Sequence, residues 1–133
     1  MTPKTKDRGA ILSTLWIFVM FNYLYLDLAM MIFHPEVYQG VATKMNDGII
    51  LGAAIIMEIL IAMILLSRIL KYRANRRANI IVGIVGTALV FLTLLSGKPP
   101  LFYLFISVIE IACTLFIIWY AWTWPNPDAR HLE

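Results

Sequence analysis

The chain has 133 residues, of which 61% are hydrophobic and 14% are charged, and its mean hydropathy is +0.80. A protein of this length has too small an interior to bury several long apolar runs, so the composition excludes an ordinary soluble domain and predicts one membrane-inserted helical domain over residues 1–133. The formal net charge is +3, and the lone cysteine, Cys113, excludes an intramolecular disulfide.

Four apolar runs are long enough to cross about 30 Å of hydrocarbon, which takes roughly 20 helical residues. They cover residues 10–33, 49–70, 79–96 and 101–122. The connections between them are short, which makes consecutive spans antiparallel neighbours. We therefore predict an all-α fold, a four-transmembrane-helix antiparallel bundle with both termini on one side of the membrane.

The first span contains the segment FNYLYLD, residues 21–27, which places polar groups and an acid inside apolar sequence. Tyr23, Asp27 and His34 recur at helical spacing and share one stripe, with Asn22 beside it. The connection that follows, HPEVYQGVATKMNDG, is polar enough to lie at the membrane surface, where we expect a short interfacial turn.

The later spans each add polar groups. The second places Glu58 among small residues, and the third supplies glycines and threonines suited to close helix contact. The fourth carries Tyr103, Ser107 and Glu110 on one stripe and ends in WYAWTWP, which is typical of the aromatic belt at a membrane interface. The segment RILKYRANRR, between the second and third spans, favours helices that extend beyond the bilayer.

Lysine and arginine are concentrated on one side of the predicted spans, at Lys4, Lys6, Arg8, Arg68, Lys71, Arg73, Arg76, Arg77 and Arg130. The connections on the other side contain only Lys44 and Lys98. By the positive-inside rule, both termini and the arginine-rich connection are cytoplasmic. The positive charge therefore reflects topology and contact with the lipid bilayer, and we expect no nucleic-acid partner.

Three carboxyl groups fall within the spans at a similar depth. At 1.5 Å per residue, Glu58 and Glu110 lie about 13 Å and Asp27 about 9 Å from the outer ends of their spans. An ionised acid at mid-bilayer costs roughly 2.5–3.5 kcal/mol. No basic residue lies at that depth, so we expect at least one acid to be protonated at neutral pH. His34 is about 10 Å along the helix from Asp27, too far for both to ligate one ion, so we expect no metal site and no cofactor.

Three segments carry a resemblance to a known family: STLWIFVMFNYLYLD, RANRRANIIVGIVGT and IEIACTLFIIWYAWTWP. Together they resemble a family of small bacterial four-helix integral membrane proteins whose domain is of unknown function. The similarity extends from Leu12 to Pro125. It implies a multi-pass protein of the bacterial inner (cytoplasmic) membrane, and it implies no activity and no functional residues.

The leading functional hypothesis is binding or proton-coupled transport of a small lipophilic or cationic molecule at a buried acidic site. The predicted ligand- and proton-binding residues are Asp27, Glu58, Glu110, Asn22, Tyr23, Tyr103 and Ser107. A cation would displace protons from the acids. Because four helices enclose little volume, we expect the bundle to form a homodimer.

Two other classes of function stay open. A buried acid near tyrosines could perform acid–base chemistry on a lipophilic substrate, although the sequence contains no nucleophile–base pair, nucleotide loop or metal-ligand spacing and so favours a protein that is not an enzyme. Alternatively, the polar stripes could serve only as helix-pairing surfaces in a structural or accessory subunit of a membrane complex.

Overall fold

The computed structural model describes the backbone of residues 3–126 and the side chains of residues 6–126. Over that range the chain forms five helices and no strand: α1 (Pro3–Phe33), α2 (Pro35–Ala42), α3 (Asp47–Ile69), α4 (Tyr72–Leu95) and α5 (Leu101–Trp122). All except α2 are long and apolar enough to cross a membrane. The predicted all-α class with four candidate spans is therefore confirmed. The side chains of Lys4 and Arg130, used above to predict topology, lie outside the described residues.

Local sequence determines where the outer helices begin and end. His34 precedes a proline, which disfavours helical backbone, and its φ of −136° and ψ of 57° terminate α1. Pro35 then occupies the first turn of α2, the eight-residue helix that takes the place of the predicted turn. At the start of α3 the Asn46 side chain accepts a hydrogen bond from the Ile49 amide at 2.9 Å, which caps the helix.

The arginine-rich connection is mostly helical. Leu70 and Lys71 have extended backbone, with ψ of 146° and 157°, and these two residues join α3 to α4. Helix α4 begins at Tyr72, whereas the apolar run begins at residue 79. The segment YRANRRAN extends the helix because alanine and arginine are good helix formers.

The four long helices pack in a ring in which α1 contacts α3 and α5, and α4 contacts α3 and α5. Arg8, near the start of α1, donates a hydrogen bond to the backbone oxygen of Tyr120 near the end of α5, at 2.9 Å. Arg76, near the start of α4, donates to the backbone oxygen of Trp122 at 3.1 Å. The start of α1, the α3–α4 connection and the end of α5 therefore lie together, at what we call the arginine-rich end.

The hydrophobic core lies toward the arginine-rich end. Its buried members come from α1, α3, α5 and the segment after α5: Leu12, Trp16, Val19, Leu60, Met63, Ile117 and Trp124. Gly9 brings α1 close to α3, since a Cβ added there would lie 2.5 Å from the backbone oxygen of Ser67. This close packing holds the helices together at one end and leaves open space at the other.

Candidate functional site

A cleft of about 500 Å³ lies among α1, α3, α4 and α5. It is bordered by the second halves of α1 and α4 and the first halves of α3 and α5, which places it toward the end opposite the arginine-rich end. Its walls are mainly apolar, and its polar side chains are Tyr23, Asp27, Thr93, Tyr103 and Glu110. A cavity of this size and character suits a small organic ligand.

Glu110 is the most deeply buried acid of the cleft. Its side chain, on α5, is 1% exposed, and its Oε1 has no hydrogen-bond partner among the described residues. An unpaired buried polar atom costs about 1–3 kcal/mol, so most such atoms have a partner. The cleft thus has a buried carboxyl oxygen without a partner among the described residues at its wall.

The other polar side chains of the cleft come from the same two stripes that the helical spacing predicts. Tyr23 and Asp27, four residues apart on α1, both line the cleft. The Tyr23 hydroxyl donates to the backbone oxygen of Gly86 on α4 at 3.4 Å. Tyr103 lines the cleft two turns before Glu110 on α5. Two acids and two phenol rings thus surround one space.

Comparison with known proteins gives a family for the chain. Residues 3–130 match the family of unknown function DUF6326. The chain belongs to this family. The predicted resemblance to a family of unknown function is therefore confirmed. No curated protein and no solved structure matches the chain.

Three of the predicted site residues lie outside the lining of the cleft. Glu58 is exposed on α3, away from the wall that this helix gives to the cleft. Asn22 donates a hydrogen bond to the backbone oxygen of Phe18 within its own helix, at 2.8 Å. Ser107 is fully buried and its hydroxyl has no partner among the described residues. The structure thus brings Asp27 and Glu110 to one cleft and leaves Glu58 outside it.

Sequence reasoning missed a buried polar cluster at the arginine-rich end of this DUF6326 protein. The cluster consists of Ser13, Trp16, Ser67, Asn75 and Asn79. Asn79 accepts from Trp16 Nε1 at 2.8 Å and donates to Asn75 Oδ1 at 2.7 Å, while Asn75 donates to the backbone oxygen of Ser67 at 2.7 Å. Every amide here has a partner within the protein, so the cluster joins helices and does not present free groups to a ligand. The four-residue spacing of the two asparagines is the signal that could have predicted it.

No group of three histidine, cysteine, aspartate or glutamate side chains among the described residues is placed to hold a metal ion. His34 lies outside the lining of the cleft, stacked on Phe102 with ring centroids 5.8 Å apart and paired with Glu36 at 3.4 Å. Cys113 is half-buried and its thiol faces the backbone oxygen of Leu15 at 3.9 Å. Neither side chain adds a ligating or nucleophilic group to the cleft.

Proposed function

We propose that this protein is an integral membrane protein that binds a small lipophilic cation in the cleft and exchanges it for a proton on Glu110. The buried, unpaired Oε1 of Glu110 at the wall of a mainly apolar cleft carries this proposal. Movement of the cation across the membrane would follow from release on the other side, which makes proton-coupled transport the wider role.

The chemistry of the cleft favours a cation over a neutral or anionic ligand. A carboxyl group in an apolar, water-poor site is more stable as the neutral acid than as an unpaired anion. When a cation enters, its charge stabilises the carboxylate, so the proton leaves. The rings of Tyr23 and Tyr103 can bind the same cation through their π faces, and the apolar walls exclude small hydrated ions in favour of organic ones.

The proposed setting is the bacterial inner membrane, with the four long helices as an antiparallel bundle and both termini in the cytoplasm. Contacts between the start of α1, the start of α4 and the end of α5 support this up-and-down arrangement. The cations at the same end support a cytoplasmic location for it, by the positive-inside rule. The bacterial setting comes from the family resemblance of the sequence.

Proton release on cation binding tests the proposal. Tetraphenylphosphonium is added to the detergent-purified protein in weakly buffered solution near neutral pH, and binding and pH are followed together. Wild-type protein should release up to one proton for each cation bound. Glu110→Gln should release none and bind at least about tenfold more weakly, because the anion that stabilises the cation is gone. Proton release that is unchanged in Glu110→Gln would contradict the proposal.

Two further variants show whether the effect is local to the cleft. Glu36→Gln makes the same chemical change at an exposed acid on α2 that does not line the cleft, so its proton release should match that of wild type. Glu58→Gln distinguishes the cleft from the wider site predicted from sequence. If Glu58→Gln still releases a proton on cation binding, the acids of the site are Asp27 and Glu110. If proton release is lost in Glu58→Gln, Glu58 also belongs to the site.

A further inference from the structure

Of the four long helices, α3 has the smallest share of residues buried within the protein. In its most apolar stretch 11% of residues are buried within the protein, compared with 22–28% for the other three. One face packs inward and buries Leu60, Met63 and Ser67. Residues on the opposite face, among them Leu51, Ile61 and Leu65, are exposed in the described structure, so a large apolar surface of α3 is left open.

The outward face of α3 has the spacing of a helix-pairing seam. Among the exposed residues of α3, the five residues Leu51, Ala54, Glu58, Ile61 and Leu65 are separated by three, four, three and four positions. This is the repeat with which two helices pack side by side in a left-handed pair. The small side chain of Ala54 permits a close approach of the two backbones.

Glu58 lies at the centre of this seam and of the helix, eleven residues from both Asp47 and Ile69. No hydrogen bond or ion pair within the described part of the chain reaches its side chain. A carboxyl group that faces hydrocarbon at mid-span is unfavourable even when protonated, because it has no hydrogen-bond partner there. A polar group from outside the described part of the chain would remove this cost.

We propose that α3 pairs with α3 of a second copy of this chain and that the two Glu58 carboxyl groups hydrogen-bond to each other across a two-fold axis along the membrane normal. Two copies inserted in the same orientation present Glu58 at the same depth, whereas a different partner would have to supply a polar group at that depth independently. A protonated carboxyl both donates and accepts a hydrogen bond, so it complements itself, as a two-fold interface requires. A polar residue at one position of such a seam also fixes the register of the pair.

This interface leaves the cleft accessible. The cleft is lined by the inward residues of α3, such as Gly52, Ala53 and Ile56, whereas the seam uses the outward ones. The inference depends on membrane insertion of α3 and does not depend on cation binding at Glu110. Failure of one proposal can therefore be observed separately from failure of the other.

Cysteine cross-linking in native membranes tests the seam. In a Cys113→Ser background, Ala54→Cys and Ile61→Cys should each form a disulfide-linked dimer on oxidation with copper phenanthroline, because a disulfide requires Cβ atoms about 4 Å apart. Ile84→Cys is the matched control, since Ile84 is exposed near the middle of α4 and lies outside the seam. Absence of the dimer at both α3 positions, or equally fast cross-linking at Ile84→Cys, would overturn the inference.

Substitution of Glu58 itself tests the hydrogen bond. Fluorescence energy transfer between labelled copies in detergent or lipid should give the same dimer fraction for wild type and Glu58→Gln, since an amide also donates and accepts. Glu58→Leu should raise the dimer dissociation constant about tenfold, because the paired hydrogen bonds are lost. An unchanged dimer fraction in Glu58→Leu would rule out the carboxyl pair, and intact proton release in the same preparation would leave the cleft proposal standing.

Discussion

Asn79 ties three helices together through one buried amide. Its Oδ1 accepts hydrogen bonds from Trp16 on α1 at 2.8 Å and from the Ser67 hydroxyl on α3 at 3.3 Å. We predict that Asn79→Leu lowers the free energy of unfolding by about 1–3 kcal/mol, because it leaves the buried indole N–H without an acceptor. Unfolding in mild detergent, followed by circular dichroism during SDS titration, measures this change.

Trp16→Phe is the matched control for Asn79→Leu. It keeps an aromatic ring in the core and removes the donor itself, so no buried N–H is left unpaired. Its loss of stability then comes from the volume removed at a fully buried position. The double variant should lose less than the sum of the two single changes, because both remove the same hydrogen bond. Strictly additive losses would mean that the bond between the two side chains contributes nothing to stability.

The cleft residues on α1 and α5 could be predicted from spacing, whereas the orientation of Glu58 could not. Tyr23 with Asp27, and Tyr103 with Glu110, stand out because polar groups that recur at helical intervals in apolar sequence mark one face. Helix α3 is apolar on every side around Glu58. The position of Glu58 along the span therefore predicts its depth, but no polar stripe predicts which way its side chain faces. Three acids at one depth therefore predict a shared layer, and only the packing of α3 separates Glu58 from the other two.

The helices continue beyond the apolar runs that predict them. Helix α1 begins at Pro3 and α4 at Tyr72, whereas the corresponding runs begin at residues 10 and 79. Charged residues mark the point where the chain leaves hydrocarbon, yet lysine and arginine are good helix formers. Hydropathy therefore predicts the membrane boundary and does not predict the end of the helix. The eight residues of α2 are too few for a periodic pattern, so the sequence predicts only a turn there.

The close contact between α1 and α3 depends on the absence of a side chain at Gly9. An added Cβ would lie 2.5 Å from the backbone oxygen of Ser67, which cannot rotate away as a side chain could. We predict that Gly9→Ala lowers the free energy of unfolding by about 1–2 kcal/mol, since overpacking costs about 1–3 kcal/mol and the better helix propensity of alanine offsets up to about 1 kcal/mol. The same SDS titration measures it.

Gly40→Ala makes the identical substitution in α2, where nothing lies within 4 Å of the added Cβ. It should be neutral or slightly stabilising, because only helix propensity changes. If Gly9→Ala proved as stable as Gly40→Ala, the two helices could not be as close at Gly9 as the structure places them.

The molecule is packed at one end and open at the other, and the two parts share side chains. Leu60 belongs to the core and also lines the cleft, while Tyr23 packs against the core and exposes its ring to the cleft. The packed end therefore fixes the relative positions of α1, α3 and α5 without a ligand. The proposed cation site would therefore be preformed, with Glu110 already buried before the cation arrives.

The distribution of cations over the whole molecule argues for one orientation in the membrane. Arg8 and Arg76 contact the end of α5 at the arginine-rich end, and Lys44 and Lys98 lie in the connections at the other end. Such a strong asymmetry favours cytoplasmic placement of the arginine-rich end. The cleft, which lies toward the opposite end, would then be nearer the outer surface, so a cation would leave the cell from it.

Cysteine labelling in intact cells tests this orientation. In a Cys113→Ser background, Thr43→Cys should react with a membrane-impermeant maleimide, and Ala74→Cys should react only after permeabilisation. Both positions are exposed, with Thr43 between α2 and α3 and Ala74 in the first turn of α4 at the arginine-rich end. Neither substitution removes a lysine or arginine that determines topology. If only Ala74→Cys were labelled in intact cells, the orientation would be the opposite of the predicted one, and the cleft would lie toward the cytoplasm. Equal labelling of Thr43→Cys and Ala74→Cys in intact cells would indicate that copies insert in both orientations. Two copies in opposite orientations are not related by a two-fold axis along the membrane normal, so such pairs could not form the proposed Glu58 contact.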